Sequence, residues 1–155
     1  MNYYLNKDDM IKKIFENIKK TDIKPGIMIA SISKSSPNYY YHWTRDSSIV
    51  MKTIVKHYNN LLSKNENDEI IFKHIIDYVQ NENILQNINT ISGIGEPKFN
   101  VDRTPFNERW GRPQNDGPAL RGLTLIKIYK ILQNDYPAIC NIIIEILEKD
   151  LEYIL

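Results

Sequence analysis

Apolar residues recur at intervals of three and four along five stretches of the chain, the period of a helix with one buried face. The first, residues 7–20, sets Met10, Ile11, Ile14, Phe15 and Ile18 on one side and Lys12, Lys13, Lys19 and Lys20 off it, as a solvated face. Residues 46–62 repeat the stripe with Ile49, Val50, Ile54, Tyr58 and Leu61, and residues 68–86 with Ile71, Phe72, Ile75, Ile76 and Val79. A fourth helix is expected to begin near Asp116, whose carboxylate can cap it, with Gly117-Pro118 in the first turn. It continues through Leu120, Leu123, Ile126 and Ile131 to about Asn134. The fifth runs from Pro137 to Leu155 and is apolar on most sides, through Ile139, Ile142, Ile143, Ile144, Ile146, Leu147 and Leu151. A helix of that kind expects neighbours on most sides.

Two stretches break the helical period. Residues 24–43 hold Pro25-Gly26, a short extended run at 27–31, Ser35-Ser36-Pro37 and Tyr39-Tyr40-Tyr41. Residues 90–115 contain three prolines (Pro97, Pro105, Pro113) and three glycines (Gly93, Gly95, Gly111). Long segments without helix are uncommon inside a compact domain and tend to carry function. The pattern therefore predicts an all-α fold with long functional loops, and not a bundle joined by short connections. With 155 residues the chain has room for one domain, residues 1–155.

Charge adds little. The 20 Lys and Arg against 19 Asp and Glu leave a net +1, which gives no reason to expect nucleic acid or an acidic membrane surface as partner. The apolar cluster at 142–147 is interrupted by Glu145 and is far shorter than a membrane span. Cys140, the single cysteine, lies in an apolar helical run and reads as a small buried hydrophobe. Met1-Asn2-Tyr3-Tyr4 does not look like the start of a signal peptide. The expected compartment is the cytosol, or the exterior if a leader lies outside this sequence.

Candidate chemistry sits in the two loops. In the first, Tyr39, Tyr40, Tyr41, His42 and Trp43 precede Thr44-Arg45-Asp46. Sugar rings lay their apolar faces on aromatic rings, while their hydroxyls need fixed donors and acceptors. An adjacent Arg and Asp supply a planar donor fork and a two-oxygen acceptor. On composition alone the plainer reading is favoured: Asp46 caps a helix and the aromatics fill core. In the second loop, Glu96, Asp102, Glu108 and Asp116 are the carboxylates available for acid/base work. A glycosidase needs two such groups across the bond. No spacing here opposes any two, and ion pairing or turn formation is the expected role of Glu96 and Asp116. His42, His57 and His74 lack metal-ligand spacing, so no metal is expected, and no cofactor. Gly93-Ile94-Gly95 lacks the rest of a dinucleotide fingerprint, and Ser47-Ser48 lacks a nucleophile elbow.

Three long motifs, in order, resemble the fungal-type glucoamylases (glucan 1,4-alpha-glucosidases). They are Ser35-Pro37-Tyr39-Tyr41-Trp43-Thr44-Arg45-Asp46-Ser47, then Gly93 through Asp102 (GIGEPKFNVD), then Trp110-Gly111-Arg112-Pro113-Gln114 with Asp116-Gly117-Pro118-Ala119-Leu120-Arg121. The resemblance covers roughly residues 8–155. It implies part of an (α/α)6 barrel, about five helices, whose loops at one end form a sugar pocket. It also implies inverting hydrolysis of α-1,4 links, and more slowly α-1,6 links, from non-reducing ends of starch, glycogen and maltooligosaccharides. Arg45 and Asp46 would bind hydroxyls of the terminal glucose, and Tyr39 and Trp43 would form pocket wall. Trp110 would pack over the site and help position the general acid, with Gly111 and Arg112 beside it.

The chain departs from the family in two respects. The general acid and general base, both Glu in the family, would lie beyond Leu155, so no catalytic residue is assigned and the chain alone is expected to be inactive. Glu108-Arg109 also replaces the small residues usual before the tryptophan, which would alter the rim of the site. A non-catalytic carbohydrate-binding or regulatory protein is the alternative. A helical interaction module would explain the helices but leave the three motifs without a reason. On either reading, an open barrel edge offers a route to self-association.

Overall fold

The computed structural model describes residues 7–18 and 23–155, so Met1–Asn6 and Lys19–Asp22, including two lysines of the expected first helical face, lie outside the described residues. Five helices and two very short strands follow in the order α1 (Lys7–Ile18), β1 (His42–Trp43), α2 (Thr44–Leu62), α3 (Glu69–Gln86), β2 (Lys98–Phe99), α4 (Asp116–Leu132) and α5 (Pro137–Ile154). All five helices expected from the apolar period are present.

Packing sorts α2, α3, α4 and α5 into two layers. α2 lies against α4, and α3 against α5, while α2–α3 and α4–α5 contacts join the layers. The shared core includes Met51, Ile54 and Val55 from α2, Ile71, Ile75 and Val79 from α3, Leu125 and Ile128 from α4, and Ile143 and Ile146 from α5. α2 and α4 run parallel, because both begin at the same end: a Cβ added at Gly117 would stand 3.3 Å from the Thr44 methyl. The two long loops, α1 to α2 and α3 to α4, therefore meet at that end.

β1 and β2 join the loops there. They pair antiparallel, His42 with Phe99 and Trp43 with Lys98. Thr44 adds a backbone bond to the Pro97 carbonyl (3.0 Å) and a hydroxyl bond to the Glu96 carbonyl (3.1 Å). The expected extended run at 27–31 forms only an isolated bridge, Ile29 to His42. The strand falls instead at His42–Trp43, whose partner lies more than fifty residues on, beyond the reach of local pattern.

Two further expectations change. Asp116 is the first residue of α4, and Asn115 precedes it without a side-chain cap; the Asp116 carboxylate turns to Arg45. α5 is covered on one side only among the described residues. Cys140, Ile143, Ile146 and Asp150 are buried, whereas Ile144 and Leu151 are exposed.

Candidate functional site

The loop junction at the start of α2 brings together most of the residues nominated from sequence. Trp43 is 6% exposed, and its ring meets Trp110 edge to face, centroids 5.4 Å apart and planes at 74°. Tyr39 flanks Trp43 at 6.3 Å and is exposed on its other side. These three rings make an aromatic corner with two open faces.

Beside it, Arg45 Nε lies 3.5 Å from Asp46 Oδ2, and Arg45 Nη1 lies 3.5 Å from Asp116 Oδ2. Both contacts are long for a charge-assisted hydrogen bond, so the Arg45 fork is held in place without being saturated. Asp46 does not cap α2: the residue before the helix is Trp43, and no side chain caps the start. The plainer reading of Asp46 is thereby corrected, since the carboxylate points toward Arg45 and not back to the helix amides.

Trp43 Nε1 is out of solvent and lacks a hydrogen bond among the described residues, while Asp46 Oδ2, also out of solvent, has the long Arg45 Nε contact as its partner. A buried donor or acceptor left unpaired costs roughly 1–3 kcal/mol. One is a donor and the other a charged acceptor, at the edge of an aromatic corner.

Behind the corner lies a residue the sequence did not single out. Lys98 is 2% exposed, with Nζ 3.8 Å from the Phe106 ring centroid, 3.9 Å from Trp110, 4.3 Å from Tyr41 and 4.9 Å from Trp43. Four ring faces around one ammonium fix the angle between the two tryptophans through cation–π attraction. Burial, then the nearby Arg112 charge, holds the Lys98 ammonium below the ordinary lysine value. Its signal in the sequence is a lysine in strand register with Trp43, readable only once the two strands are paired.

Arg112 braces the second loop. Its Nε contacts both Glu96 oxygens (2.9 and 3.0 Å), Nη1 donates to the Glu108 carbonyl (2.8 Å), and Nη2 donates to the Phe106 carbonyl. Glu96 is 2% exposed and also accepts from Ser92 (2.9 Å), which is the ion-pairing role expected of it. Gly111 is exposed, and a Cβ there would meet nothing within 4 Å. At Gly95 a Cβ would run into the Tyr153 hydroxyl and the Pro113 ring, so this close approach requires glycine.

Under the junction runs a buried charge network that the sequence reading also missed. His42 Nδ1 accepts from the Met28 amide (3.0 Å), which places its proton on Nε2, 3.0 Å from Glu82 Oε1. Glu82 Oε2 lies 3.4 Å from Arg121 Nη1, and Arg121 grips Asp150 through two nitrogens. Gln86 donates to Asp150 (2.9 Å). His42 and Glu82 are 0% exposed, Arg121 2% and Asp150 1%. The chain of contacts ties β1, α3, α4 and α5 together beneath Trp43.

The sequence model described as Glycosyl hydrolases family 15 matches residues 6–155. The chain belongs to glycosyl hydrolase family 15. It is 38% identical over 160 residues to Glucoamylase-1 of Arthroderma benhamiae, covering 95% of this chain and 25% of that protein. It is 39% identical over 133 residues to the intracellular sporulation-specific glucoamylase of Saccharomyces cerevisiae, covering 76% of this chain and 23% of that protein. The solved glucoamylase of Saccharomycopsis fibuligera superposes with a TM-score of 0.82 at 32% identity, over 95% of this chain and 35% of the other. The chain thus spans about a quarter of the length of these curated relatives. Its two helical layers are part of a family 15 (α/α)6 barrel.

Proposed function

We propose that this chain supplies the glucose-holding portion of a glucoamylase that releases glucose from the non-reducing ends of α-1,4-linked glucans, with inversion and with slower action on α-1,6 links. In this reading Trp43 and Tyr39 form pocket wall, Arg45 and Asp46 hold hydroxyls of the terminal sugar, and Trp110 closes over it with Gly111 and Arg112 alongside. The observation that carries it is the unsaturated Arg45–Asp46 pair set against the exposed Trp110 and Tyr39 rings, with Trp43 beneath them. All sit within motifs of a chain 38% identical to a glucoamylase.

The chain binds sugar in this reading but does not cleave it alone. Inversion needs one carboxylic acid and one carboxylate on opposite sides of the sugar, with room for a water. Among the four nominated carboxylates, Glu96 is buried and committed to Arg112 and Ser92. Asp102 accepts from the Thr104 hydroxyl (2.7 Å) and amide (2.9 Å), which hold it below the ordinary aspartate value, the opposite of what a general acid requires. Asp116 faces Arg45, and Glu108 lies exposed in the second loop. The Glu acid and Glu base come from outside the chain described.

Glucose release from maltose and soluble starch tests this, measured for the 155-residue chain beside a form extended with further family 15 sequence. Release by the extended form alone is the expected result. Release by the short chain would mean that two of Glu96, Asp102, Glu108 and Asp116 are the catalytic pair.

A further inference from the structure

Trp43 touches both other rings of the aromatic corner, yet its own ring has no polar anchor, since Nε1 lacks a hydrogen bond among the described residues. Its place is set through the backbone on either side. After it, Thr44 bonds the Pro97 carbonyl (3.0 Å) and the Glu96 carbonyl (3.1 Å) of the second loop. Before it, His42 stands at the centre of the junction, paired with Phe99 of β2 and bridged to Ile29 of the first loop. Successive strand residues point to opposite faces. His42 therefore turns inward where Trp43 turns to the corner, and it is fully buried. It touches no ligand seated at the corner and acts there only through β1.

The His42 ring is held at both ends, and the two ends differ in stiffness. Nδ1 accepts from the Met28 amide at 3.0 Å, and Nε2 lies 3.0 Å from Glu82 Oε1. Met28 and its neighbour Ile27 are buried, and their run is tied down by backbone bonds, Ile27 to the Lys24 carbonyl (3.1 Å) and Ala30 to the Tyr41 carbonyl (3.2 Å). A bond from that fixed main chain to the ring sets the rotation of β1 about its own axis. With it goes the angle at which Trp43 meets Trp110 and the Lys98 ammonium. Glu82 instead reaches the ring on a flexible side chain from α3, and its other oxygen faces Arg121. That end balances charge and follows the ring.

We infer that His42 is a positioning residue for Trp43, its Met28 bond setting the wall of the sugar site and its Glu82 contact serving stability. The effect on sugar affinity rests on the proposed function; the effect on the place of Trp43 does not. Two amides of different length divide the two contacts. Asn sets its oxygen where Nδ1 stands, so the Met28 amide keeps an acceptor, but it falls short of Glu82. Gln carries its nitrogen out to where Nε2 stands, so Glu82 keeps a donor, but the Met28 amide loses its acceptor.

His42→Asn and His42→Gln test this in the purified chain, by maltose titration of the tryptophan emission and by urea unfolding, with circular dichroism to check the helices. His42→Gln should weaken maltose binding about tenfold or more, while His42→Asn stays within about threefold of the unaltered chain. His42→Asn should nevertheless be the less stable of the two, because a bond to a charged group contributes more than a neutral one. Affinity and stability then rank the variants in opposite orders, which a purely structural His42 would not produce. Emission without sugar gives a second readout: His42→Gln moves it to longer wavelength as Trp43 leaves its buried seat, and His42→Asn leaves it in place. If maltose changes the emission of no form but this difference persists, the sugar-binding reading fails and the placement of Trp43 by His42 stands. Affinity and emission that follow stability, or that are the same in both variants, overturn the inference.

Discussion

Glu82 has no exposed surface, yet it carries a charge between His42 and Arg121. Burial alone would raise its carboxyl; the His42 and Arg121 interactions outweigh that and hold it below the ordinary glutamate value. A depressed folded value means that its contribution to stability is fully present above the unfolded value and is lost as pH falls through the folded one. Glu82→Gln should therefore flatten the fall in stability between neutral pH and about pH 3. Urea midpoints across that range check this, and an unchanged acid limb would sink it. Arg121 is the costlier group to lose. It neutralises both Glu82 and Asp150 out of water, so Arg121→Ala should destabilise the fold by roughly 3–5 kcal/mol, measured by urea unfolding at neutral pH. A loss under about 1 kcal/mol would mean that water reaches the network in solution. Sequence pattern holds one trace of these residues: Glu82, Arg121 and Asp150 lie in phase with the apolar stripes of their helices, beside Val79, Leu125 and Ile146. Phase reveals burial but not the partner, because the three helices meet only in the fold.

Among whole elements, helices were legible and their ends less so. α3 begins as its sequence suggests, with Asp68 Oδ1 accepting from the amides of Ile70 and Ile71, both at 3.0 Å. Replacing Asp68 with Ala should cost about 1 kcal/mol of stability, and Asp68→Asn, which keeps the acceptor, should recover most of it. Equal losses in the two variants, read by thermal or urea unfolding, would show that the cap is not the cause. Asp116 carries the same chemistry at the start of α4, yet its carboxylate turns to Arg45, 71 residues earlier in the chain. A capping signal is local, and here a tertiary ion pair overrides it. β1 and β2 illustrate the same limit more strongly. With two residues each they have no period to read, and their pairing is set by the meeting of two long loops. Those loops were recognisable from proline, glycine and the three motifs. Their register, which puts Lys98 beside Trp43, was not.

Across the whole molecule the site can be followed without any catalysis. The chain has two tryptophans, Trp43 and Trp110, and both belong to the aromatic corner. Intrinsic tryptophan emission therefore reports on this region alone. On the proposed reading a sugar seated there replaces water at the exposed Trp110 ring, which meets Trp43 edge to face, so maltose should change the emission in a saturable way. Asp46→Asn keeps the size of the side chain but removes its charge, and a hydrogen bond to a charged group contributes about 1.5–3 kcal/mol. The maltose affinity should then fall about tenfold to a hundredfold, while the helical circular dichroism stays unchanged. Titration of both forms distinguishes sugar binding from an aromatic corner that only packs. Equal responses to maltose, or none in either form, would remove Asp46 and Trp43 from the sugar site and leave the corner a structural clasp between two loops.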